Sequence, residues 1–489
     1  MRQRDDGQFF GFKTVAQGYL GRFTQFLYIP AVRDASDDAS EGRGSVLTQL
    51  MDLVVRSVLA NNIALSQLKE TVQEQYETIM APANLTEIND LAQQMTQTLK
   101  TYVPGAGVQL DWSSEDINIP LPKANIKLVE DGYSSTVTRA GHGLQRAFIL
   151  TMLQHLAAAQ TNTNDEIITE GLGKQLPNFA LVIEEPELYQ HPNRQRHFAK
   201  VLWDLTTGST PGVADQTQVI YGTHSPLFVG IDRIDQVRRL RKEVQEANKP
   251  KITKVIQTSL NKVAEEVWRI DGEPRNRYTA QTLLPRLQAI MTPWMSEGFF
   301  ADVVILVEGE DDRAALLGMA KAMDVELEGR GFSVIPCGGK SNLDRPLLIF
   351  RELDIPVYVI WDGDFKKGEA AGICEKCGRR LDSRANPKDN HRLLRLVGWA
   401  TPEEDWPEYI EEKFTCFKHD LETMLKNEIG SDLFESYLDE CKNELSIPKR
   451  KHAIKNPNVL AYIIKNAQKQ GCTSQTLEQT IDKILMLKS

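Results

Sequence analysis

Apolar and polar positions change their spacing several times along the chain, and each change marks an element. The run FTQFLYIPAVRD (23–34) is apolar and closed by Pro30 and Arg33, which predicts a buried strand entering a loop. Residues 34–43 are polar and rich in Gly and Ser, hence a loop. From Ser45 to Tyr102 the apolar spacing is helical. VQLDW, INIPL and ANIKLVE alternate and predict short antiparallel strands. Leu144–Ala159 reads as an apolar helix opening after Gly141 and Gly143, and Phe179–Ile183 and Gln218–Tyr221 read as buried strands. Residues 233–298 are mixed and charged, the pattern of a connection between domains. Beyond it strands and helices alternate: VVILV (303–307), a helix over Arg313–Met323, FSVIP (332–336), a helix over Pro346–Leu353, and VYVIW (357–361). Such alternation predicts parallel βαβ units and an α/β fold.

Length divides this picture into at least two domains, because 489 residues exceed the ~250–300 that one core usually serves. No apolar run reaches the ~18 residues of a membrane span, and the N-terminal residues lack an apolar signal core. Six cysteines are too few for a disulfide scaffold, so a reducing cytoplasm is expected and no membrane partner. A net charge of −10 excludes a basic nucleic-acid coat protein. Phosphate contacts would fall to bound metal ions or to local patches, of which 238–242 (RRLRK) and 449–455 are the candidates.

Acids stand where a parallel sheet presents chemistry. Glu308 directly follows VVILV, and Asp362 and Asp364 follow VYVIW. Sites in open α/β sheets form outside the carboxyl ends of the strands. Asp312, four residues beyond Glu308, lies on the first turn of the next helix and can face the same space. Gly363 separates two carboxylates that can converge. Four carboxylates in one cleft repel unless some take up protons or a cation joins them, and hard ions such as Mg²⁺ or Mn²⁺ suit oxygen ligands. Two such ions ~4 Å apart could clamp a phosphodiester.

VEGEDD, CGGKSN and WDGD together resemble a TOPRIM domain, the metal-binding α/β module of topoisomerases, primases and the overcoming-lysogenization-defect (OLD) nucleases. In the OLD version a later acid and a lysine complete the site. HDLETML offers Asp420 or Glu422, with Glu422 preferred; KRKHAIKNP offers Lys451 or Lys455, with Lys455 preferred to stabilise charge on the phosphate in flight. Gly338-Gly339-Lys340-Ser341 is not a phosphate-binding P-loop, because Val334 stands where that pattern needs glycine; it reads as the TOPRIM glycine turn, placing Lys340 and Asn342 near the site.

LVIEEPELYQHP resembles the Walker B segment of ABC-type ATPases, which implies Mg²⁺ at Glu184 and a water-orienting Glu185. YGTHSP resembles the switch-histidine segment, with His224 near a γ-phosphate. AGHGLQR resembles the signature loop, with Gly141, Gly143, Gln145 and Arg146 completing a partner subunit's nucleotide site, which implies a homodimer. No GxxxxGK[ST] occurs in the chain, so the expectation is little or no ATP hydrolysis by the chain as it stands, through truncation or loss.

The resemblance implies this order: an ATPase-like part over 1–44, a helical dimerisation insert over 45–105, the ATPase-like part resumed over 106–295, and a TOPRIM nuclease domain over 296–489. It implies two-metal cleavage of DNA, phage defence or DNA repair, and a helicase-like partner. The rival is a regulatory scaffold whose TOPRIM site is silent. Cys374, Cys377, Cys416 and His419 form two half-sites that could bind one structural Zn²⁺, against unrelated reduced cysteines.

Overall fold

The structure, a computed structural model, describes residues 24–29, 63–79, 86–108, 126–141, 143–145, 147–149, 151–152, 178–206, 217–246, 249–271, 278–365 and 387–488. Its contacts divide the chain into two compact units, Met1–His224 and Ser225–Ser489. Among the described residues no helix is long and apolar enough to cross a membrane.

The described part of the first unit begins with β1 (Thr24–Ile29), followed by two helices, α1 (Ile63–Ile79) and α2 (Thr86–Tyr102). A short antiparallel pair comes next, β2 (Lys127–Glu130) with β3 (Tyr133–Thr136). Then come β4 (Asn178–Glu184), α3 (Pro192–Asp204) and β5 (Thr217–Gly222). The strands β1, β4 and β5 form one parallel sheet with β4 in the middle. Leu181 and Ile183 of β4 and Leu27 and Ile29 of β1 are buried, as their apolar runs predict. Of the expected strand VQLDW only Val108 is described, and the rest of it, INIPL and the loop over 34–43 lie outside the described residues.

The second unit opens with an antiparallel ribbon, β6 (Arg239–Glu243) and β7 (Ile252–Ile256), and three helices, α4 (Leu260–Asp271), α5 (Ala280–Ala289) and α6 (Pro293–Glu297). Residues 225–295, read from sequence as ATPase-like part and connection, thus share the core of the second unit: Leu260, Val263, Val267, Leu283, Leu287 and Met295 are buried in it. Pattern reading missed this because the ribbon is solvent-exposed and Pro285 interrupts the helical pattern of α5.

Then follow β8 (Val303–Val307), α7 (Glu310–Ala322), β9 (Phe332–Pro336), α8 (Asp344–Glu352), β10 (Val357–Asp362), α9 (Pro387–Val397), β11 (Tyr409–Ile410) and β12 (Phe414–Phe417). A helical cap ends the unit: α10 (Leu421–Ile429), α11 (Ser431–Glu444), α12 (Arg450–Ile454), α13 (Pro457–Lys469) and α14 (Gln475–Met486). The sheet order is β11-β12-β10-β8-β9, parallel except for β11. All five residues of β8 are buried, which explains its unbroken apolar run. Val303, Ile305 and Val307 pack with α7 on one face; Val304 and Leu306 pack with α8 on the other. Each such side chain contributes about 1.5–3 kcal/mol by leaving water. From β8 the chain steps to β9 on one side, then returns across β8 to β10 on the other. A crevice opens where the winding reverses, outside the carboxyl ends of β8 and β10.

Candidate functional site

Glu308 and Asp362 stand at that reversal. The Asp362 amide donates to Glu308 Oε2 at 3.4 Å. Asp312 is buried in the first turn of α7 and accepts from the Gly309 amide at 2.7 Å, a capping arrangement that aims its carboxyl back at the strand ends. Asp362 Oδ1 accepts from the Leu421 amide at 3.1 Å. Asp420 caps the same helix, accepting from the Thr423 amide at 2.8 Å. Backbone bonds pin these loops: Gly339 donates to the Glu308 carbonyl at 2.9 Å, while Gly363 and Asp364 donate to Phe417 and His419 at 2.6 and 3.1 Å. A Cβ at Gly363 would lie 2.7 Å from the Phe417 carbonyl, so only glycine lets this loop run beside β12.

A pocket of about 230 Å³ opens here, lined by Asp311, Asp312, Asp362, Asp420 and Glu422 at its acidic side. Burial, then Asp311, Glu308 and Asp420, holds the Asp312 carboxyl well above the usual range. Burial, then Asp312, Glu308, Asp364 and Asp420, does the same to Asp362. Such a site favours protons or a cation. Among the described residues no three His, Cys, Asp or Glu side chains already close into a metal cage. The donor set nevertheless fits a hard cation, since its oxygens are crowded and its charges oppose one another.

Two of the predicted site residues have other partners in the structure. Asp364 does not line the pocket. Its backbone is left-handed, φ 66°, and its carboxylate meets the buried ammonium of Lys340 at 2.8 Å. Glu422 reaches the pocket rim but is clamped by Arg450, at 2.5 and 3.2 Å, and by Lys426 at 2.7 Å. Burial pushes the Glu422 carboxyl upward, yet hydrogen bonds from Arg450 and Lys426 outweigh it and hold it below its ordinary value. Asp420 is the later acid whose charge bears on Asp312 and Asp362, and Asp311 joins it there unforeseen. Lys455 is exposed, one residue beyond the pocket-lining Ile454; Lys451 is exposed one turn earlier.

Two expected results follow from these charges. Asp420→Asn weakens Mn²⁺ binding at least tenfold and Glu422→Gln less than threefold, measured by calorimetric titration; the reverse order restores Glu422 as the ligand. The second concerns pH. Asp312 and Asp362 keep their protons in the fold after the unfolded chain has lost them near pH 4. The folded state then binds more protons, so cation-free stability falls as pH rises from about 4 towards neutrality. Added Mg²⁺ therefore raises the unfolding temperature more at pH 8 than at pH 5, and an equal rise at both values contradicts the assignment.

In the first unit, β4 and β5 bring a second set of acids to their carboxyl ends. Glu184 accepts from Tyr28 Oη at 2.6 Å. Glu185, left-handed at φ 43°, places Oε1 3.7 Å from His224 Nε2. Glu187, given no role from sequence, accepts from Thr223 Oγ1 and the His224 amide, both at 2.7 Å, and so ties the two strand ends together. Gly141 opens a helical segment, accepting from the Leu144 and Gln145 amides, and the Gly143 carbonyl accepts from Gln190 Nε2 at 3.2 Å. The Gln145 side chain turns back to the Ala140 carbonyl at 2.9 Å, and Arg146 lies outside the described residues.

Of the zinc candidates, Cys374 and Cys377 lie outside the described residues. Cys416 is buried in the sheet core, where burial pushes its thiol well up and opposes the thiolate that zinc needs. The His419 ring packs edge-on against Phe365, with centroids 5.4 Å apart.

The second unit carries a reversal-point crevice lined by acids at and after strand ends, the arrangement expected of a TOPRIM-type α/β domain. A family model described as AAA ATPase domain matches residues 7–229, and one described as overcoming lysogenization defect protein-like, TOPRIM domain, matches residues 299–364. The chain thus carries an AAA-type ATPase domain followed by an OLD-like TOPRIM domain, as its motifs imply. It is 23% identical over 379 residues to the OLD nuclease of Thermus scotoductus, covering 76% of this chain and 63% of that protein. It is 21% identical over 352 residues to the Old nuclease of Escherichia phage P2, covering 70% and 54%. The chain therefore spans less than two thirds of either relative. Similar solved structures include the C-terminal region of the Burkholderia pseudomallei OLD protein, 23% identical, covering 39% of this chain and 100% of that one at a TM-score of 0.25. The corresponding region from Xanthomonas campestris pv. campestris is 17% identical, covering 38% and 94%, also at 0.25.

Proposed function

We propose that the second unit cleaves DNA phosphodiester bonds with divalent cations, Mg²⁺ or Mn²⁺, two in the active complex. The observation that carries this reading is the convergence of Glu308, Asp312, Asp362 and Asp420 at the sheet's reversal point, with two of them held above their ordinary pKa range. These four would hold the cations, which when bound supply Lewis acidity to a phosphodiester. Asp312 and Asp362 would have to give up any protons they hold to accept a cation. The backbone bonds to Asp312 and Asp362 fix their carboxyls, and Lys455, next in the chain to the pocket-lining Ile454, would stabilise the charge that grows on the phosphate. The expected result is nicking of supercoiled plasmid with Mg²⁺ or Mn²⁺ and none with a chelator. Absence of cutting with any divalent ion sinks the reading and leaves the rival, a regulatory scaffold with a silent site. The pairing of Asp364 with Lys340 and of Glu422 with Arg450 is what speaks for that rival.

The first unit is proposed to control this activity through Glu184, Glu185 and His224, as a homodimer whose signature-like loop faces a partner subunit. A cellular role in phage defence or DNA repair, with a helicase-like partner, belongs to the same reading and rests on the OLD nucleases to which the chain is similar.

A further inference from the structure

The ribbon β6–β7 has no part in the site above, and its charge sets it apart. Residues 238–256 hold seven cations (Arg238, Arg239, Arg241, Lys242, Lys249, Lys251, Lys254) against two acids (Glu243, Glu246), in a chain whose net charge is −10. Strand register sorts them by face. Arg239 pairs with Ile256, Arg241 with Lys254 and Glu243 with Ile252 on one face; Leu240 pairs with Val255 and Lys242 with Thr253 on the other. The first face is anchored. Arg239 donates to the Leu353 and Asp354 carbonyls at 3.1 and 2.8 Å, and Arg241 meets the Asp354 carboxylate at 2.6 Å. The second face is open: Leu240 is 67% and Val255 59% exposed, beside exposed Lys242 and Thr253. Val244 and Lys251, which continue the strands, are exposed as well. Both acids of the ribbon are spent on lysines, Glu243 on Lys254 and Glu246 on Lys249.

We propose that this open face is a docking surface for duplex DNA, remote from the cleavage pocket. Charge complementarity selects the occupant: interleaved lysines and apolar side chains with no acid among them suit a phosphate-lined groove, and a two-stranded ribbon fits the major groove. Asp354 precedes β10 and the pocket follows it, so the length of β10 separates them, about 20 Å for its six residues. The ribbon therefore holds duplex away from the bond being cut. The choice of DNA rests on the nuclease reading; the surface does not depend on cleavage.

The test is fluorescence anisotropy with the full chain and a labelled 30-base-pair duplex in chelator, where no cutting occurs. Lys242→Glu/Lys251→Glu is expected to weaken binding at least tenfold, and to flatten the slope of log Kd against log salt by about 2, the loss of two phosphate contacts. Lys242→Gln/Lys251→Gln falls between it and the parent, and Lys465→Glu/Lys469→Glu, the same charge change on exposed lysines of α13, binds as the parent does. Unchanged affinity and slope overturn the proposal. So does a drop in assembly mass by light scattering in the charge-reversed variant, which would give the face to a second copy of the chain. Binding retained by a chain that cuts nothing sinks the nuclease reading alone.

Discussion

Asp362→Ala is expected to lower the proposed DNA cleavage by at least about a thousandfold, equal to roughly 4 kcal/mol of transition-state stabilisation. Asp362 is the acid on which the others converge: Asp312, Glu308, Asp364 and Asp420 all bear on its charge, and its carboxyl is held by the first amide of α10. Its removal takes a ligand from the middle of the proposed cation site and releases the Leu421 amide that orders Asp420's helix. The measurement is the initial rate of plasmid nicking under saturating Mn²⁺, with near-ultraviolet circular dichroism to establish an intact fold. A variant that still cuts within tenfold of the parent places the chemistry elsewhere.

Lys340→Met destabilises the second unit by about 3–5 kcal/mol, the usual cost of removing one partner from a buried ion pair. Side-chain exposure is 5% for Lys340 and 2% for Asp364, so solvent screens neither. Lys340 also counters Asp389, whose carboxyl burial raises while Arg392 and Lys340 pull it back. With total stabilities of about 5–15 kcal/mol, that loss is a large share of what a domain has. Lys340→Met/Asp364→Leu is expected to recover most of it, because no charge is then left without its partner. Chemical denaturation of the three proteins decides the matter: a single variant as stable as the parent would make the pair a surface-like contact.

Much of this was legible in the residues. VVILV and VYVIW announce buried parallel strands, and acids directly after them announce a strand-end site, because a strand's end fixes where the next side chain can stand. What the pattern could not carry was rotation within a turn. Asp364 looks equivalent to Asp362, yet a left-handed backbone turns it to Lys340. Asp420 is the extended cap residue ahead of α10 and Glu422 lies in its first turn, so their side chains leave the backbone in different directions. One joins the acids and the other joins Arg450. No spacing rule separates such neighbours. The ribbon and helices of 225–297 were hidden for another reason: an open ribbon has no buried face to impose alternation.

The backbone ladder that carries Gly363 and Asp364 along Phe417 and His419 has a consequence for ion choice. Because backbone hydrogen bonds tie the loop after Asp362 to the chain just before Asp420, the main chain resists any widening of the gap between these two acids of the proposed cation site. A frame of that stiffness favours Mg²⁺, with oxygen distances of about 2.0–2.1 Å, over Ca²⁺ at about 2.3–2.6 Å. Calcium is then expected to act as a poor substitute that occupies the site without supporting turnover.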